Sequence, residues 1–207
     1  MFNLGAFLSY VFVVSFTPGP NNIMSMANAS KVGYKKTLDF ILGVCTGFFI
    51  IILLSGYFNL LLFNLIPKVK IFMGILGAGY MTYLAFKIIN SKEKTDNNNE
   101  EEITDENNLN SFLNGILMQF VNPKAILFGI TVVSNFIIPY YKSNVAIILF
   151  SIFLAFVGFL STSCWALFGS LFNKFLSKYR RQFNMTMGLF LIYSAFSISG
   201  VIDLFYK

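Results

Sequence analysis

Residues 1–30, 40–67, 143–173 and 182–202 contain no Asp, Glu, Lys or Arg. A helix covers the hydrocarbon of a bilayer with roughly 20 mostly apolar residues. In that medium the backbone must satisfy its own polar groups, which leaves helices and closed barrels. A barrel would show shorter segments of alternating polarity, and these continuous runs do not. The pattern predicts an all-α, polytopic membrane protein. Only 12% of the residues are charged, against about a quarter in a soluble domain. The first segment lacks a basic n-region and a small-residue cleavage site, so it is expected to be a retained span rather than a signal peptide.

Several function classes lose their chemistry at this point. The chain has no His, and its only cysteines, Cys45 and Cys164, fall inside apolar runs. That argues against a disulfide framework, a metal site, a bound cofactor and a His-based proton relay. Ser–Lys and paired-acid spacings for catalysis are also missing, so no enzyme is expected. The net charge of +6 sits in short loops beside apolar spans, where membrane orientation explains it better than nucleic acid.

Helices are expected near residues 4–27, 38–64, 69–89, 111–134, 143–170 and 183–205. Residues 91–110 form the one long polar stretch, with the composition of a solvated, disordered linker. Its acids lack the Asp/Asn spacing and central Gly of a calcium loop. The chain thus divides into a three-helix repeat over 1–90, an acidic cytoplasmic linker over 91–110, and a second repeat over 111–207. Three spans per half force the second half to enter the membrane in the opposite sense, an inverted repeat. Basic residues set the orientation. Lys31, Lys35, Lys36, Lys87, Lys92, Lys94, Lys174, Lys178, Arg180 and Arg181 fall on one side, while Lys68, Lys70, Lys142 and Lys207 fall on the other. The richer side is expected in the cytoplasm, with both termini outside.

Prolines break the first and fourth spans. Thr17-Pro18-Gly19-Pro20-Asn21-Asn22 and Asn122-Pro123-Lys124 lie about half a chain apart. Proline removes a backbone donor and clashes with the preceding turn, and interrupted segments in corresponding halves point to a transporter's binding site. One reading of the first motif is an unwound hinge whose amides and carbonyls hold the two ends of a small zwitterion. The other is a helix that ends at Ser15 in a surface turn. A helix from Leu4 to Phe16 would span only about 20 Å of a roughly 30 Å core, which favours the hinge. Lys124 has seventeen charge-free residues on either side, with Gln119 and Asn122 close by. It would meet a substrate carboxylate, bond the broken backbone, or sit at an interface. Asp39 would take part in proton coupling, cap its helix, or pair with Lys35. Gly43-x-x-x-Gly47 and Gly74-x-x-Gly77-x-Gly79 read as close packing surfaces. Tyr80, Tyr83, Trp165 and Tyr193 read as packing residues or interfacial anchors, with lining of a pathway as the alternative.

TPGPNN in the first span together with QFVNPKAILFG in the fourth resembles the LysE/RhtB amino-acid exporters. LGAGYMTYLAFKI (76–88) is similar to that family's third-span segment, and CWALFGSLFNKFLSKYRRQFN (164–184) is similar to its cysteine/O-acetylserine exporters. The resemblance implies a carrier of the bacterial inner membrane that expels small amino acids or derivatives in exchange for protons. Carried over by motif, Thr17, Pro18, Gly19, Pro20, Asn21, Asn22, Asn122, Pro123 and Lys124 become the site, and Gln119 adjoins it. The alternatives are a cation or metal transporter of the same superfamily and a membrane scaffold. Substrate identity and oligomeric state, a homo-oligomer included, stay open at this level.

The orientation is testable by cysteine labelling in intact cells, in a background without Cys45 and Cys164. A cysteine at residue 98 should be closed to an impermeant reagent and one at residue 205 open to it. The reverse pattern would invert the topology.

Overall fold

The computed structural model of the chain describes residues 2–59, 75, 78–90, 110–172 and 178–198. All regular structure among them is helical. In chain order it comprises α1 (Leu4–Phe16), α2 (Pro20–Val32), α3 (Tyr34–Tyr57), α4 (78–89), α5 (Phe112–Val121), α6 (Pro123–Val132), α7 (Asn144–Leu171) and α8 (Arg180–Ile198). A π-helical turn, Val133–Ile137, continues α6. Short polar side chains set several starts by accepting from free first-turn amides. Asn3 caps α1 through Ala6 N, Ser111 caps α5 through Asn114 N, and Ser143 caps α7 through Ala146 N.

Among the described residues, α3 and α7 are each long and apolar enough to cross a bilayer. The pair α5–α6 makes a third such element if counted as one span, bent by 68°. The bend has a local cause. Pro123 cannot donate to the preceding turn, and it pushes the residue before it out of the helical region. Asn122 accordingly sits at φ −87°, ψ 98°. α1 is apolar but only 13 residues long, about 20 Å of helix.

Boundaries moved where glycine intervenes. The second helix starts at Tyr34 rather than near 38, because Gly33 at φ 85° closes α2 and lets α3 begin on the next residue. The left-handed backbone there suits glycine, which has no Cβ to clash. α8 similarly starts at Arg180, ahead of the expected 183. Residues 60–64 of the second expected span, most of 69–77 including Gly74 and Gly77, the linker through 109, and 199–205 lie outside the described residues.

Two apolar clusters organise the packing. One gathers Ile23, Met24 and Met26 of α2 with Phe40 and Val44 of α3, Leu84 and Ile88 of α4, Met118 of α5 and Leu191 of α8. The other joins Phe7 and Val11 of α1 to Phe48, Ile51 and Ile52 of α3, Phe128 of α6, and Leu154 and Val157 of α7. α3 belongs to both. Its Gly43 and Gly47 face α5 so closely that a Cβ would run into the carbonyls of Phe112 and Ile116. This bears out the packing reading of that pair. Gly115 of α5 reciprocates against the backbone of Phe40 and Val44, and Gly169 of α7 does the same against Met26 of α2.

Gly115→Ala should therefore push α3 and α5 apart and cost about 1–3 kcal/mol, as overpacking does. Gly79→Ala, where a Cβ meets nothing within 4 Å, should be neutral. Unfolding of the purified proteins in denaturant compares them, and equal stability would mean the α3–α5 contact is loose.

Candidate functional site

The break between α1 and α2 is an accounting problem in backbone hydrogen bonds. A continuous helix would pair the N–H of residue 18 with Val14 O and that of residue 20 with Phe16 O. Both residues are proline, so neither donor exists. The backbone also turns extended at Thr17 (φ −65°, ψ 149°) and at Gly19 (φ −171°, ψ 173°), which releases the neighbouring carbonyls. In a water-poor interior each would cost several kcal/mol unpaired.

Side chains supply the missing donors. Thr17 Oγ1 donates to Val14 O at 2.8 Å. Asn22 Nδ2 donates to both Ser15 O and Thr17 O at 2.9 Å. Ser161 Oγ of α7 lies 2.8 Å from Ser15 O and 3.1 Å from Asn22 Oδ1, its single proton shared between them. The Trp165 indole N–H reaches Phe16 O at 3.2 Å. Lys124 Nζ takes Thr17 O and Thr17 Oγ1 at 3.0 Å each, and Pro18 O at 3.4 Å. Every carbonyl from Val14 to Pro18 thus has a side-chain partner.

The second break is stitched to the first. Asn21 Nδ2 donates to Gln119 Oε1 at 2.9 Å, and Gln119 Nε2 returns a bond to Asn21 Oδ1 at 3.1 Å. Asn122 Nδ2 adds another to Asn21 Oδ1 at 2.9 Å. Asn122 Oδ1 meanwhile caps α6 through Lys124 N and Ala125 N. Gln119 is fully buried. The Lys124 stem crosses Gly19 so closely that a Cβ there would lie 2.9 Å from Lys124 Cδ and would oblige the lysine to shift.

A cavity of about 60 Å³ opens beside these groups, several times what one water needs. Asn21, Asn22, Asn122, Lys124 and Ser161 form its polar wall, and Val44, Phe48 and Phe128 its apolar one. Among the described residues, Lys124 is the only charged side chain in the lining, and no acid is among them. Gly19 brings no side chain to cap the first turn of α2, whose Asn21 and Asn22 both line the cavity.

Of the residues singled out from the sequence, Gly19, Pro20, Asn21, Asn22, Asn122 and Lys124 line the cavity. Thr17, Pro18 and Gln119 bond to residues in its wall, and Pro123 starts α6. Asp39 is exposed on α3 and does not line the cavity. Tyr83 and Tyr193 are exposed, and Tyr80 packs against the α2 cluster. Trp165 does more than pack, as its bond to Phe16 O requires. Ser161, Thr162, Gly158 and Cys45 also reach the cavity, and no motif marked them in advance.

The profile of the LysE type translocators matches residues 12–199. Proteins named cysteine/O-acetylserine efflux protein from Klebsiella pneumoniae subsp. pneumoniae, Escherichia coli K12 and Shigella flexneri serotype 5b are similar to this chain. Each is 34% identical over 195 residues, which cover 94% of this chain and 96% of the relative. No solved structure matches the chain.

Trp165→Phe should cost about 1–3 kcal/mol by stranding Phe16 O. In a Pro20→Ala background the penalty should shrink, because residue 20 regains an N–H. A double-mutant cycle on denaturant unfolding measures the coupling. Additive penalties would mean that the indole and Pro20 act on different carbonyls.

Proposed function

Since the chain belongs to the LysE type translocator family, we propose that it is a secondary-active exporter of a small neutral amino acid or derivative, of the cysteine/O-acetylserine kind, working by alternating access around its two broken helices. The observation that carries this reading is the meeting of the two breaks at one cavity, joined through Asn21, Gln119, Asn122 and Lys124. A zwitterion is the natural guest. Its carboxylate suits the N-terminal end of α2, which no side chain caps, and its ammonium suits the carbonyl end of α1. With Lys124 and no acid among the described lining residues, a lysine or arginine side chain would meet repulsion there without a counter-charge. The small volume favours a short side chain.

The wider arrangement follows the same reading. Six spans form two inverted halves in the bacterial inner membrane, with both termini outside and the odd-numbered connections in the cytoplasm. Protons are the counter-ion. Asp39, exposed on α3 near Lys35 and Lys36, is the acid proposed to exchange them with the cytoplasm. The efflux names of the relatives support transport over catalysis. Uptake into reconstituted vesicles under an imposed pH gradient tests substrate class and coupling together. Uptake of a metal cation without any amino acid would replace this reading with the cation-transporter one.

Replacing both Pro18 and Pro20 by Ala restores two backbone donors, which should keep or raise stability. Efflux, normalised to protein in the membrane, should nevertheless collapse, because the freed carbonyls and the hinge disappear together. Normal efflux from the double variant would reduce the motif to a turn.

A further inference from the structure

The Lys124 ammonium has three oxygens around it, Thr17 O, Thr17 Oγ1 and Pro18 O. These belong to the carbonyl end of α1, where partial negative charge accumulates. They are also the acceptors that suit a primary ammonium in the reading of the cavity as an amino-acid site, on which the present inference rests. Lys124 itself enters from α6, across the bare face of Gly19, and its side chain lines the cavity. A primary ammonium on a four-carbon tether therefore sits where a substrate's own ammonium would bind.

We infer that Lys124 is a tethered surrogate for the substrate ammonium, holding the amine subsite of the carrier until substrate displaces it. Two ammonium groups cannot share these three oxygens, so arrival of one requires departure of the other. The displaced Nζ leaves Thr17 and Pro18 and swings into the cavity, which removes the one direct link from α6 to the carbonyls of the first break. Substrate binding and release of that link then become the same event. Gly19 is part of the device, because any Cβ at that position would crowd the Lys124 stem, lying 2.9 Å from Cδ and 3.0 Å from Nζ.

Three probes separate the subsites: L-cysteine, cysteamine with the amine alone, and 3-mercaptopropionate with the carboxylate alone. Trp165 is the chain's one tryptophan and bonds the break directly, so its fluorescence reports binding to purified full-length protein at fixed pH. Lys124→Met removes the competitor while keeping the apolar stem. Cysteamine should then bind more tightly by about tenfold or more, the scale of a charge-assisted contact, and 3-mercaptopropionate should be unmoved. Gly19→Ala crowds the ammonium without removing it and should move cysteamine in the same direction, which keeps the test decisive if Lys124→Met does not fold. Unchanged or weaker cysteamine binding overturns the inference. So does loss of 3-mercaptopropionate binding alone, which would make Lys124 the carboxylate partner. If the wild-type protein binds L-cysteine and cysteamine gains nothing, only the tethered ammonium falls. If it binds none of the three, the amino-acid reading falls and takes this inference with it.

Discussion

A peptide carbonyl with no partner in hydrocarbon is among the more expensive things a membrane protein can contain. This one exposes five in succession, from Val14 to Pro18, and much of the remaining architecture serves to occupy them. α7 approaches α2 at glycine distance, which brings Ser161 and Trp165 to the break. α6 begins at Pro123, which turns the chain so that Lys124 reaches back over Gly19. Asn22, in the first turn of α2, folds over the carbonyl of Ser15 in α1 and that of Thr17 in the break. Remove the donors and the break has no reason to persist against a straight helix.

The polar groups are confined to the junction between two apolar clusters, one built around α2 and the other around α1. That separation matters because buried amides strengthen one another only when each is satisfied. Asn21 illustrates the economy: its side-chain oxygen accepts from both Gln119 and Asn122, while its nitrogen donates back to Gln119. The outcome is a polar junction between the two breaks, held among the described residues by amide hydrogen bonds rather than an ion pair.

Much of this was legible from residue order, and the illegible part has a physical reason. Proline and glycine act on their own backbone, so Pro18, Pro20 and Pro123 announce a break wherever they stand. Gly43 and Gly47 announce close approach by their four-residue spacing. Ser161 and Trp165 carry no such mark. A serine in an apolar run usually bonds its own helix, and a tryptophan usually anchors at an interface; only the placement of α7 against Ser15 and Phe16, 146 and 149 positions away, gives them their work. Gly115 and Gly169 were hidden for the same reason, since each matters only through the partner that faces it. The start of α3 was misplaced because lysines looked like loop, whereas a single left-handed Gly33 let helix begin among them.

α2 runs from Pro20 to Val32 with Gly19 at one end and Gly33 at the other. Thirteen helical residues make a stiff strut of about 20 Å, joined to α1 through Thr17, Pro18 and Gly19 and to α3 through Gly33 alone. Such a part behaves like a connecting rod in a machine. Its thirteen residues form one unbroken helix, so it moves as a single piece. A displacement at Pro20 is therefore carried to the Gly33 joint at the foot of α3, beside Lys35 and Lys36, one helix length from the cavity that produced it.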